Sequence, residues 1–227
     1  MKYTEFTGTC KTNHWYKVGR HSLFCGNTTS QEFIKECDGA KLAFADPPYG
    51  SKVDKWDNDF YWEHDYLTDV ADIVCVTPGP RNLAKFFKLT EMPYRWELSA
   101  HISNGRSVGD VGYANWTHVT IFANPDKKIW RQMPDTKRIN LIHSESNDTS
   151  HKGRKPTELM KWIITLFTEP HELVIDPFGG SGTTLVVCER LDRTCITGEI
   201  NPKYCEEIIQ RWKYEPTRTI KRLDQFI

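Results

Sequence analysis

The chain has 227 residues, with 30 basic and 30 acidic side chains, a formal charge of zero, 38% hydrophobic and 12% aromatic residues. That length suits one α/β domain with a full core, residues 1–227. No apolar run is long enough to span a membrane, and Met1 to Glu5 lacks an apolar signal core, so a cytoplasmic protein is expected. Zero net charge does not announce a nucleic-acid binder, although charge distribution still can.

Short β-rich runs alternate with helical patterns along the chain, which predicts a mostly parallel sheet wrapped by helices. His21 to Gly26 reads as a strand and Ser30 to Cys37 as a helix with Ser30 as N-cap. Lys41 to Ala45 is a second strand, ending at Asp46. Asp72 to Thr77 is a third, stopped by Pro78-Gly79-Pro80. Trp96 to His101 and His118 to Ala123 are expected to pair as a late antiparallel hairpin, with an exposed loop at Asn104 to Asp110. Asn124 to Ser150 shows weak periodicity and is expected to be irregular. A helix opens near Lys155-Pro156, with Leu159, Ile163 and Leu166 at helical spacing. Leu173 to Ile175 is a strand ending at Asp176, Thr183 to Arg190 a helix, Thr194 to Gly198 a strand ending at Glu199, and Tyr204 to Trp212 a final helix.

Seven cysteines, Cys10, Cys25, Cys37, Cys75, Cys188, Cys195 and Cys205, form no C-x-x-C pair, and several sit in apolar runs. They are expected to be reduced, buried thiols, and no metal site is expected. Between Asp126 and Lys155 eight basic residues, Lys127, Lys128 and Arg131 among them, accompany four acids. This stretch reads either as a local positive face or as a solvated loop.

Two segments carry the chemistry. In Val174 to Thr184 a buried strand ends, the glycines Gly179, Gly180 and Gly182 follow, and a helix begins. Such a turn brings backbone amides close to a ligand in the crevice at the carboxyl end of a sheet. Glu199, about twenty residues on, stands where doubly wound folds commonly bind ribose hydroxyls. The dinucleotide fingerprint lacks its third glycine, because Leu185 occupies the place, and no phosphate-loop lysine is present. A nucleoside ligand without a phosphate anchor remains, and S-adenosylmethionine fits because its tail is an amino acid.

The other segment, Asp46-Pro47-Pro48-Tyr49, also follows a strand. Its prolines fix the backbone and remove donors, leaving acceptors. Asp46 adds a carboxylate and Tyr49 an aromatic face. Accepting the hydrogens of an aromatic amine at Asp46 and the Pro47 carbonyl favours a pyramidal nitrogen with a released lone pair. Stacking on Tyr49 holds a base taken out of its helix, and in-line positioning supplies much of the acceleration. Alone, a Pro-Pro turn is commonly just a turn; beside the glycine turn it reads as half of a site.

These residues resemble the amino-methyltransferases of DNA, specifically the permuted β group, in which the catalytic segment precedes the cofactor motif. The resemblance rests on Asp46 to Tyr49, on His151-Lys152-Gly153-Arg154-Lys155-Pro156, on Asp176 to Thr184 and on Glu199 to Tyr204. It implies a Rossmann-like doubly wound sheet in circularly permuted order, with S-adenosylmethionine as cofactor and DNA as partner. Asp46, Pro47, Pro48 and Tyr49 would be catalytic. Phe178, Gly180 and Gly182 would line the methionine part of the cofactor, Asp176, Ser181 and Thr183 would bind its polar ends, Lys155 and Pro156 would sit beside the methionine end, and Asp46 would also contact the cofactor. Glu199 would hold the ribose, Ile200 would cover the adenine ring, and Asn27, in place of the family's aspartate, would contact the adenine amine. Residues 124–150 stand where a target-recognition region belongs and are few.

The leading Asp46 points to adenine-N6 as the target, whereas serine there is typical of cytosine-N4 enzymes. RNA or protein-amide methylation, usually with asparagine first, and a silent DNA-binding module are the alternatives. Trp56 either caps the base pocket or packs its loop. Arg106 either meets DNA or faces water, and Lys127, Lys128 and Arg131 are candidate phosphate contacts. A homodimer, a cognate restriction enzyme or a second specificity subunit are family-level expectations.

Overall fold

The computed structural model describes residues 1–49, 60–103, 107–129, 133–140 and 154–214. In chain order they form β1 (Tyr3–Thr4), β2 (His14–Val18), β3 (His21–Cys25), α1 (Gln31–Ile34), β4 (Ala40–Ala45), α2 (Leu67–Val70), β5 (Ala71–Val76), α3 (Leu83–Leu89) and β6 (Tyr94–Ile102). There follow β7 (Ser107–Val108), β8 (Tyr113–Ala114), β9 (Trp116–Phe122), β10 (Thr136–Ile139), α4 (Thr157–Phe167), β11 (Leu173–Asp176), α5 (Thr183–Arg190), β12 (Thr194–Glu199) and α6 (Pro202–Tyr214).

Ten strands make one sheet in the order β1-β2-β3-β12-β11-β4-β5-β9-β6-β10. The central run β3-β12-β11-β4-β5 is parallel. Its side chains alternate between two covered faces, as expected of strands buried on both sides. On β4, Leu42 and Phe44 enter one core layer and Ala43 and Ala45 the other. The first layer holds Leu159 and Ile163 of α4, Leu185 of α5 and Ile208 of α6. The second holds Phe33 of α1, Leu67 of α2 and Phe86 of α3. This is the doubly wound, mostly parallel sheet that the alternation of strands and helices predicts. All seven cysteines are free and buried. No helix among the described residues is long and apolar enough to cross a membrane.

The expected late hairpin is present: β6 and β9 pair antiparallel, with Glu97 opposite Thr120 and Leu98 opposite Val119. Two expectations are corrected. Part of the loop between them is ordered, because β7 and β8 pair as a small hairpin. Part of the stretch expected to be irregular is β10, which adds to the sheet edge parallel to β6. Its sequence, Thr136-Lys137-Arg138-Ile139, carries one buried apolar residue. Backbone pairing at an edge needs no apolar pattern, so the strand left no periodic signal.

The strand order also makes a crevice. After β4 the chain moves to β5 through α2, on one face; after β11 it moves to β12 through α5, on the other. The adjacent strands β4 and β11 therefore send their following loops in opposite directions. This is the topological switch point, where open α/β sheets hold ligands.

Candidate active site

β4 and β11 are in register at Leu42–Val174 and Ala43–Ile175, so Asp46 and Asp176 leave neighbouring strand ends side by side. The Asp46 carboxylate is held on both oxygens. Oδ1 accepts from the Tyr49 hydroxyl at 2.6 Å and from Thr77 Oγ1 at 2.6 Å. Oδ2 accepts from Lys155 Nζ at 2.6 Å. The same ammonium lies 4.8 Å from the centre of the Tyr49 ring. Asn82 Nδ2 donates to the Tyr49 carbonyl at 2.8 Å, tying the segment to the start of α3. Burial, then the neighbouring Asp46 charge, pushes the Tyr49 phenol above its ordinary range. Burial alone would lower Lys155, but Asp46 and Tyr49 outweigh it and keep the ammonium firmly protonated.

On the β11 side, Asp176 Oδ1 accepts from Phe178 N at 2.9 Å, and the residue is 3% exposed. Burial pushes the Asp176 carboxyl up to about 7; Thr184 and the Phe178 amide oppose this, while the Asp46 and Glu199 charges reinforce it. The chain then turns through Gly180 and Gly182 at φ 49° and 74°, a region glycine enters without a side-chain penalty. Glu199 organises this turn from the end of β12: Oε2 accepts from Gly180 N at 2.9 Å and Oε1 from Asn201 N at 2.8 Å. Burial raises the Glu199 carboxyl as well.

These two strand ends share one cavity of about 290 Å³. Asp46, Pro48 and Lys155 line it, with Asp176 to Ser181, Thr183, Glu199 and Ile200 around the other side. Asp46, Pro48 and Lys155 are thus brought together with the glycine turn, whereas Pro47, Tyr49 and Gly182 are not on the cavity wall and Tyr49 reaches the site through its bond to Asp46. Asn27 is also on the wall, but its Oδ1 accepts from Thr29 N and Thr29 Oγ1, both at 3.0 Å, within its own turn. Ile200 stands at the rim, 65% exposed.

Four neighbours escaped the sequence. Thr77 follows β5 at the position paired with the start of the catalytic segment, as Thr77 N donates to Ala45 O at 3.0 Å. His64 is 3% exposed; its Nε2 is 3.0 Å from Thr28 Oγ1 and its ring centre 4.5 Å from that of Phe178. Burial pushes His64 down to about 4, so it is a neutral wall rather than a proton carrier. Tyr61 and Glu63 line the cavity while Phe60 and Trp62 enter the core, a period-two alternation too brief to be read as a signal. Thr77 becomes visible once β4 and β5 are known to pair.

The candidate DNA contacts fare differently. Lys127 is engaged with Asp72 Oδ1 at 2.7 Å, beside Lys41, which donates to Asp72 Oδ2 at 2.9 Å. Both partners stand at the amino ends of β4 and β5, the opposite end of the strands from Asp46. The structure does not bring Lys127 to the cavity, because that ion pair holds it at the other edge. Lys128 is exposed next to it. Trp56, Arg106, Arg131 and the His151 to Gly153 part of the third motif lie outside the described residues.

Residues 82–211, more than half of the chain, match the family described as DNA methylase. The chain belongs to that family. Its relatives include the type II methyltransferases M.Cfr9I of Citrobacter freundii, 40% identical over 72 residues, and M.PvuII of Proteus hauseri, 46% identical over 77 residues. These matches take in 32% and 29% of this chain and 24% and 23% of those proteins. M.SmaI of Serratia marcescens is 38% identical over 109 residues, which is 46% of this chain and 36% of that protein. The chain thus spans about a quarter to a third of the length of these relatives. Among solved structures, M1.HpyAVI in complex with SAM superposes with a TM-score of 0.62 at 18% identity, over 85% of this chain and 98% of that one. The cytosine-N4-specific PvuII DNA methyltransferase gives 0.60 at 18% identity, over 89% of each. At such identities the likeness is one of fold. For this DNA methylase family member it agrees with the mixed, mostly parallel sheet described above.

Proposed function

We propose that this DNA methylase family member transfers a methyl group from S-adenosylmethionine to the exocyclic amine of a base in DNA, with adenine N6 as the target. The observation that carries the reading is the joining of Asp46 and Pro48 with the Asp176 to Thr183 turn in one cavity at the switch point. The cofactor fits the donor set. Four carboxylates, Asp46, Glu63, Asp176 and Glu199, border the cavity, and Lys155 is already engaged with Asp46. A ligand bearing an ammonium and a sulfonium relieves their mutual repulsion; a phosphate would worsen it.

When bound, the cofactor supplies a methyl carbon on a cationic sulfur. The chain supplies the rest. Asp46 and the Pro47 carbonyl accept the hydrogens of the base amine, Tyr49 stacks on the ring, and the amine proton leaves by way of these acceptors. Glu199 sits at the ribose and Phe178, backed by His64, at the methionine chain. Residues 124–150 form the recognition segment of a single domain, with further selectivity supplied by a second copy or a separate subunit. Asp46 at the head of the segment favours adenine. Cytosine N4 is the second reading, because one fold neighbour carries that specificity by name.

Incubation with methyl-labelled cofactor and unmodified DNA, followed by nucleoside analysis, is expected to yield N6-methyladenine. N4-methylcytosine would reassign the base, and label confined to protein or RNA would reject the DNA reading.

The raised Asp176 gives a second expectation. Its carboxyl is about half protonated near neutrality. A ligand cation beside it favours the carboxylate, so binding expels a proton between the liganded and free values and expels none well above pH 7. Calorimetry at pH 6.5 in buffers of differing ionisation heat is expected to show net proton release that disappears at pH 9 and in Asp176→Asn. Release of equal size at both pH values would remove Asp176 from the cation site.

A further inference from the structure

Arg211, on the outer helix α6, belongs to none of the sequence motifs. Ile208, one turn before it, lies against the glycine turn: a Cβ placed on Gly182 would stand 3.1 Å from the Ile208 side chain. From that anchor the Arg211 guanidinium reaches the same turn. Nη1 donates to the Ser181 carbonyl at 2.7 Å, to Thr183 Oγ1 at 3.0 Å and to Ser181 Oγ at 3.4 Å. Ser181 Oγ and Thr183 Oγ1 are themselves 3.0 Å apart. Ser181 and Thr183 are both residues of the cavity wall.

The hydrogens can be counted. A guanidinium only donates, so Ser181 Oγ and Thr183 Oγ1 act as acceptors toward Arg211, whose two Nη1 hydrogens are shared among three oxygens. One hydroxyl hydrogen bridges the two hydroxyl oxygens, and the other is left for a further acceptor. This part of the wall therefore offers a donor backed by a positive charge, while Asp46 and Asp176 offer acceptors. The cavity is polar in two senses, as a zwitterionic amino-acid tail requires.

We infer that Arg211 is a positioning residue for the carboxylate of the ligand's amino-acid tail, acting through the Ser181 and Thr183 hydroxyls and discriminating ligands that carry this carboxylate from those that lack it. The inference rests on the methyl-donor reading above. It differs from a plain packing role because it concerns one charged group of the ligand.

The probe pair is S-adenosylmethionine and its decarboxylated analogue, which differ in that group alone. Calorimetric affinities of the wild-type chain are expected to favour the intact ligand by roughly 10–100-fold, the range of a charge-assisted hydrogen bond. In Arg211→Met the intact ligand is expected to weaken by about tenfold or more, with the decarboxylated one changed less than about threefold, so that the gap closes. Ser181→Ala, which leaves the packing of α6 in place, is expected to narrow the gap in the same direction. Arg211→Lys keeps the charge and is expected to retain part of it. Equal weakening of both ligands in Arg211→Met and in Ser181→Ala would overturn the inference in favour of a structural role, as would an unchanged gap. Failure of the wild-type chain to bind either ligand would instead overturn the methyl-donor reading, and this inference with it.

Discussion

Asp46→Asn is expected to lower the rate of methyl transfer by roughly a thousandfold, the scale seen when one preorganised polar group is removed from a reacting centre. The substitution keeps the side chain's size but replaces a charged acceptor by an amide. The amide nitrogen then opposes the very hydrogens that the carboxylate accepts. The substitution also removes the partner of Lys155, whose Nζ lies 2.6 Å from Asp46 Oδ2, with the two side chains 13% and 20% exposed. Breaking a buried pair from one side costs about 3–5 kcal/mol, and the residual exposure places this pair toward the lower figure. The loss of rate and the loss of stability are separable. The double variant Asp46→Asn with Lys155→Met removes both charges, so its melting temperature is expected to recover while its single-turnover rate is not. A single-turnover rate for Asp46→Asn within tenfold of the wild-type chain would remove Asp46 from the reacting centre.

Gly198→Ala is expected to destabilise the chain by about 3 kcal/mol, the upper part of the range for overpacked cores. For a domain of this size that lowers the melting temperature by about 6–12 °C. A Cβ on Gly198 would lie 2.1 Å from Thr28 Cγ2 and 2.9 Å from Phe33 Cε2. Gly198 precedes Glu199 at the end of β12, and Thr28 stands in the loop after β3, on the cavity wall. The missing side chain is what lets that loop close on the end of β12, where Gly26 N donates to Glu199 O at 2.9 Å. Thr28→Ser removes the clashing methyl and keeps the hydroxyl that meets His64. Adding it to Gly198→Ala is therefore expected to restore part of the lost stability. A Gly198→Ala melting temperature within 2 °C of the wild-type chain would show that the contact yields at little cost.

Much of the site is legible in the sequence because its two halves are contiguous runs at strand ends. Asp46 to Tyr49 and Asp176 to Thr183 each follow an apolar β-rich stretch, and a strand-end acid tells the reader which end of the sheet it occupies. Helix α5 matches its expected bounds, Thr183 and Arg190, because a glycine turn opens it and apolar spacing runs through it. What the sequence hides lies at sheet edges and across strands. β2 has Trp15, Tyr16 and Val18 all buried, yet His14 and Lys17 interrupt the five-residue run. β10 pairs through its backbone with mostly polar side chains. Thr77 and Arg211 act on residues 31 and about 30 positions away, so their roles exist only in three dimensions. Charge along the chain gave no sign of the ion pair between Lys127 and Asp72.

The position of β4 between β11 and β5 has a consequence for how this molecule comes into being. β4 is made before β11 and finds that neighbour only after residue 173 has been made. Until then the sheet is open along its middle, and Asp46 has no glycine turn beside it. Pairings so distant in sequence are slow to form, because the closure entropy is lost before the contacts reward it. The segment that carries the family match, 82–211, does not contain Asp46 or Thr77. Asp46 and the glycine turn therefore meet only when β11 pairs with β4.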